Sequence, residues 1–136
     1  MSGVYVFVRL GDESYALSVE HVREVLAGAD ITPLPGAGQH VLGLLNLRGD
    51  VVPVFDLAAL LGASARARSE RICVATCAQG VGGLAVGEVT DVAELAGEGD
   101  SVDAPLLAGT ALVDGRLVGV VDVRAVFAEL ERRGGT

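Results

Sequence analysis

The chain has 136 residues, 51% of them hydrophobic but only 4% aromatic, and carries a formal net charge of −8. A chain of this length buries roughly 68% of the surface its unfolded form exposes, enough for one self-standing domain. All ten basic residues are arginines and they are scattered, which opposes nucleic-acid binding, because neutralising phosphates needs a concentrated basic face. No apolar run reaches membrane-spanning length. The opening MSGVYVFVRLGDE lacks the basic-then-apolar layout of a secretion signal, so a cytoplasmic location is expected.

The first predicted elements are an alternating strand over 4–10, a turn at Gly11-Asp12 and a return strand over 15–19. A V-x-x-V element follows at Val19, Val22 and Val25. Its spacing suits one helical turn or a strand that bends at Glu20-His21, and the bend is preferred because so short a helix is marginal. Two prolines and two glycines make 30–38 a surface loop. A hairpin then joins 41–47 to 51–57 through Arg48-Gly49-Asp50. Pro53 inside its second strand calls for an edge position or a bulge, since it has no N–H to donate.

Asp56 can cap a short helix over 57–62. The Ser/Ala/Arg-rich stretch 63–71, with Arg66, Arg68 and Arg71, reads as an exposed loop. In the next strand, 71–77, Cys73 and Cys77 face the same way. Residues four apart on a strand are roughly 13 Å apart, beyond disulfide reach, so both are expected as free thiols. A return strand over 82–86, a second V-x-x-V run and a hairpin of 110–113 with 117–123 through Asp114-Gly115-Arg116 complete the strands. Asp122 caps a terminal amphipathic helix over 123–133 with the apolar face Val123, Val126, Phe127 and Leu130.

These elements repeat. At an offset of about 66 residues, ALSVEHVREV (16–25) matches GLAVGEVTDV (83–92), and GDVVPVFDLAALL (49–61) matches GRLVGVVDVRAVF (115–127). Gly43 likewise meets Gly109, and Pro53 meets Gly119. The chain reads as a diverged duplication with short strands and glycine-rich turns, an all-β architecture of two small barrels. Val19, Val54, Val86 and Val120 are the matched positions expected in the cores.

Catalytic chemistry finds little support. His21 and His40 belong to no metal or triad spacing. Asp56 and Asp122 are matched carboxylates whose simplest role is capping. No phosphate-cradling glycine loop or nucleophile elbow is present. One polar stretch, Asn46 to Asp50, interrupts the apolar strands, and its counterpart in the second unit keeps the turn glycine but not the asparagine or the arginine. Arg48 is either a turn residue paired with Asp50 or Glu24, or a bidentate donor displayed to a partner.

The run VLGLLNLRGDVVPVFDLAALLG (41–62) resembles the motif of CheW-like domains, the adaptors of bacterial chemosensory arrays. YALSVEHVREVL (15–26), TPLPGAGQHVLG (32–43), VGGLAVGEVTDVAEL (81–95) and GTALVDGRLVGVVDVRAVF (109–127) are similar to its other segments. The resemblance implies two five-stranded SH3-like barrels around a shared core, within one domain over 1–136 whose approximate halves are 1–66 and 67–136. It implies a scaffold with neither catalysis nor cofactor or metal. Its partners would be the cytoplasmic tips of chemoreceptors (methyl-accepting chemotaxis proteins) and the regulatory domain of a CheA-type histidine kinase. That puts it beside receptor arrays at the inner membrane, without direct insertion. Receptor contact would fall on Val22, Glu24, Gly43 and Arg48, which turns the reading of Arg48 toward an interface. The linker 96–108 is shorter than the family usually has, and Gly87 stands where Asp or Val is common. These departures leave open a module of another two-component pathway, such as surface motility; an enzyme with a site between the barrels is the remote alternative.

Overall fold

The structure is a computed structural model that describes residues 3–63, 71–96 and 99–133. Arg66 and Arg68 of the arginine-bearing loop lie outside the described residues. Among the described residues, ten strands and two α-helices follow one another in two similar sets of five strands and a helix. The first set is β1 (Gly3–Leu10), β2 (Glu13–Ser18), β3 (Val22–Ala27), β4 (Val41–Leu47), β5 (Asp50–Asp56) and α1 (Leu57–Leu61). The second is β6 (Arg71–Cys77), β7 (Gly80–Val86), β8 (Glu88–Leu95), β9 (Leu107–Val113), β10 (Arg116–Val121) and α2 (Val123–Arg132).

The sheets do not follow the two halves of the sequence. One has the order β8-β1-β2-β10-β9 and the other β3-β6-β7-β5-β4. Each half lends its opening hairpin to the sheet built from the other half's last three strands. Each hairpin is joined on one side by a short parallel ladder, Val54↔Gly83 to Asp56↔Ala85 or Val118↔Ser14 to Val120↔Ala16, and on the other by a longer antiparallel one, β3 to β6 or β1 to β8. All other pairings are antiparallel.

This exchange explains why β1 is apolar on both faces. Tyr5 and Phe7 enter the core of the first sheet with Val118 and Val120, while Val6, Val8 and Leu10 face the other way. There they meet Leu84, Val86, Phe127 and Leu130 in a core shared by both sheets and both helices. A smaller cluster, Leu45, Val54, Ile72 and Ala85, fills the second sheet. Asp56 and Asp122 cap the helices as expected, accepting from Ala59 N at 3.3 Å and Ala125 N at 3.0 Å. Cys73 and Cys77 are free; Cys73 lies in the shared core, where burial pushes its thiol up to about 11.

Three expectations are corrected. Val54, Val86 and Val120 are buried, but Val19 is 41% exposed, because Val19–His21 form a short 3₁₀ turn rather than a bent strand. The matching break in the second half is the single residue Gly87, whose N–H donates to Arg9 O at 2.9 Å; a Cβ there would lie 2.9 Å from the same oxygen. Pro53 is on an interior strand, between β4 and β7. It is tolerated because Leu44 opposite directs both its N–H and its C=O away from Pro53, to Thr32 at 2.8 Å each. The ladder to β7 begins one residue later, at Val54. The bulges lie on the partner strands, at the register shifts between Val41 and Gly43 and opposite Val120 and Val121.

Candidate protein-interaction site

The polar break in the sequence is the tip of the β4–β5 hairpin. The turn has two residues rather than three, Arg48 and Gly49, with φ of 51° and 91°. Positive φ at both central residues defines a type I′ turn, whose twist matches that of the flanking strands and which favours Asn, Asp or Gly in the first position. Asn46 steadies it by accepting from Gly49 N at 3.0 Å. The β9–β10 turn is built alike from Asp114 (φ 50°) and Gly115 (φ 77°) and has the preferred residue. An arginine in the left-handed region is uncommon, so the turn does not explain Arg48.

Its side chain does. The guanidinium reaches across to β3 and holds Glu24 in a two-pronged ion pair, Nη1 to Oε2 at 2.7 Å and Nη2 to Oε1 at 2.8 Å. The direct hydrogen bonds to Arg48 hold the Glu24 carboxyl below its ordinary value, with a lesser contribution from Arg23. Glu24 is largely covered, its side chain 23% exposed, whereas that of Arg48 is 68% exposed. The pair closes the seam between β3 and the β4–β5 hairpin, which share no ladder. Glu24 is placed by a bulge: Val22 pairs with Ala75 and Glu24 with Val74, leaving Arg23 extra.

Of the four residues that the resemblance points to for receptor contact, Glu24 and Arg48 come together. Val22, two residues earlier on β3, is half-buried and packs on the shared core. Gly43 is buried under the chain; with φ of 148°, a Cβ on it would lie 2.2 Å from Thr32 O. Its place in the site is to let Thr32 dock on β4. Sequence reasoning missed Val51, 65% exposed beside the turn, and the apolar pair at the other hairpin. There Leu112 and Leu117 face each other across β9 and β10, 73% and 64% exposed. The alternation of β10 carried that signal, since Val118 and Val120 face inward.

His21 Nδ1 lies 3.1 Å from Thr76 O, and His40 stacks on Phe55 with ring centroids 6.3 Å apart, its buried Nε2 having no hydrogen-bond partner among the described residues. Among the described residues no group of three or more His, Cys, Asp or Glu is placed to hold a metal, and no helix is long and apolar enough to cross a membrane.

Two exchanged five-stranded sheets with an arginine displayed at a hairpin tip define a small, predominantly β domain. The comparisons give it its family: the model of the CheW-like domain matches residues 4–131, and the chain belongs to that family of chemotaxis scaffolds. It is 33% identical over 135 residues to the chemotaxis protein CheW of Rhizobium meliloti, covering 91% of this chain and 86% of that one. A shorter match, 41% over 49 residues and 36% of this chain, is to the protein FrzA of Myxococcus xanthus. The crystal structure of a scaffolding CheW protein from Thermoanaerobacter tengcongensis superposes with a TM-score of 0.80 at 26% identity, over 90% of this chain and 86% of that one.

Proposed function

We propose that the chain is a non-enzymatic cytoplasmic adaptor that couples the cytoplasmic tips of chemoreceptors to a CheA-type histidine kinase, with the Glu24–Arg48 face as its receptor contact. The observation that carries the reading is an arginine held in an unfavourable turn conformation, clamped by a largely covered carboxylate, yet mostly open to solvent. A guanidinium has five N–H donors, and Glu24 engages only the two terminal nitrogens on one edge. The remaining donors are oriented by the clamp, which lowers the entropy lost on binding. Next to the turn in sequence, exposed Val51 supplies apolar area, a hydrophobic neighbour to the charged anchor of the kind interface centres use.

The Leu112–Leu117 pair supports a second, apolar contact on the other barrel. An exposed apolar pair at a hairpin tip suits docking against a domain of similar fold, the kinase's regulatory domain. Two surfaces on two barrels allow the chain to bridge two partners at once, and bridging needs no chemistry. The test is size-exclusion chromatography of the chain with a receptor-tip fragment and the kinase regulatory domain. One complex holding all three is expected. If the two partners never co-elute in the presence of this chain, the adaptor reading fails.

A further inference from the structure

The duplication lets the two barrels be compared position by position at the seam that Glu24 and Arg48 close. Glu24 pairs with Val74 one residue after the bulged Arg23; in the other barrel Asp91 pairs with Phe7 one residue after the bulged Thr90. Arg48 opens its turn with φ of 51°, and Asp114 opens the matching turn with φ of 50°. The carboxylate is therefore retained at one side of the seam, while at the other the arginine has become a second carboxylate. Where one barrel is clamped, the other has a cleft of about 710 Å³ into which both aspartates face. Its lining is mixed: Ser14, Thr90 and a third acid, Glu94, are polar, Ala93 and Val113 are part-exposed and apolar, and Phe7 and Val118 beneath them are core residues.

Two arginines also line the cleft. Arg9 is engaged by Glu88 at 3.3 Å, and Arg116 makes no ion pair with Asp91 or Asp114 among the described residues. Asp91 accepts a hydrogen bond from Val92 N at 2.8 Å and is in no ion pair among the described residues. We infer that this cleft is a docking site for an arginine presented by a partner protein on an extended apolar segment. That arginine would supply in trans the guanidinium that Arg48 supplies in cis. The duplicate barrel indicates the occupant's chemistry, because a guanidinium is what joins the same two backbone positions there. Asp91 and Asp114 would receive its N–H donors, and flanking apolar side chains would cover the partly buried Ala93 and Val113. This site is separate from the Glu24–Arg48 face and does not depend on its being the receptor contact.

The experiment is an NMR titration of the ¹⁵N-labelled full chain with the peptide acetyl-Val-Arg-Val-amide, the same peptide with norleucine for arginine, and free arginine. Saturable shifts of the Phe7, Asp91 and Asp114 amides are expected with the arginine peptide, at least about tenfold tighter than with either control. Asp91→Asn and Asp114→Asn, which nearly keep shape, should each weaken it by about tenfold. Asp114→Arg, which rebuilds the clamp internally, should abolish it. Equal binding of the norleucine peptide, equal binding of free arginine, shifts confined to other regions, no shifts, or unchanged affinity in both asparagine variants would overturn the inference. If Asp114→Arg fails to fold, the asparagine variants decide.

Discussion

Gly43→Ala separates a residue that shapes the site from one that touches a partner. The added Cβ would lie 2.2 Å from Thr32 O and 2.8 Å from Thr32 C, both backbone atoms that no rotamer change can move. Relief requires Thr32 to leave β4, breaking the two 2.8 Å hydrogen bonds it makes with Leu44. At about 1 kcal/mol each, plus about 1–3 kcal/mol for a side chain at φ of 148°, the loss is about 3–5 kcal/mol. That is a large fraction of a small domain's stability. The control is Gly36→Ala, at φ of 82° with no heavy atom within 4 Å of the new Cβ, where only the backbone term of about 1–2 kcal/mol applies. Urea unfolding of both variants, read by circular dichroism, gives the comparison, with unchanged slopes showing that stability alone has moved. If Gly43→Ala unfolds at the same midpoint as Gly36→Ala, the close approach of Thr32 is not what requires the glycine.

Two further outcomes follow from the described chemistry. The Glu24 carboxyl should titrate below the ordinary 4.5, and Arg48→Ala should return it toward that value, both read from the side-chain ¹³C shift. Because the folded value is the lower one, the ion pair's contribution to stability is present above the unfolded value and lost as pH falls through the folded one; a titration that Arg48→Ala leaves unmoved contradicts the pairing. Native protein treated with iodoacetamide at pH 8 should be alkylated at Cys77 before Cys73, which is buried with its thiol raised to about 11; faster modification of Cys73 would show that the shared core opens readily.

Much of the fold was legible because the signals are local. Period-two runs gave the strands, and Asp56 and Asp122 marked the helix starts. The matches between Val54 and Val120 and between Gly43 and Gly109 revealed two units. The exchange of hairpins between sheets was not legible, because every join that makes it, β5 to β7, β10 to β2, β1 to β8 and β3 to β6, links segments distant in sequence and leaves no local pattern. Val19 was misread for a related reason: its V-x-x-V spacing matched Val86, but the three-residue 3₁₀ turn rotates Val19 out of the core. In the site, the polar break pointed to Arg48 and the choice of Glu24 or Asp50 as its partner stayed open. Only the closed seam brings β3 to the hairpin tip, and only the second seam shows that Asp91 and Asp114 occupy the same places with no ion pair to an arginine among the described residues.

The central claim, that Arg48 is displayed for a partner, is tested most directly by calorimetric titration of a receptor-tip fragment into the wild-type chain, Arg48→Ala and Arg48→Lys, with the urea midpoint of each measured alongside. The alanine variant should bind at least about 30-fold more weakly while its midpoint stays near that of the wild type. The lysine variant should recover little, because an ammonium cannot hold Glu24 by two prongs and still present an oriented edge. Wild-type affinity in Arg48→Ala, or weakened binding only in step with a fall in the midpoint, would contradict the account.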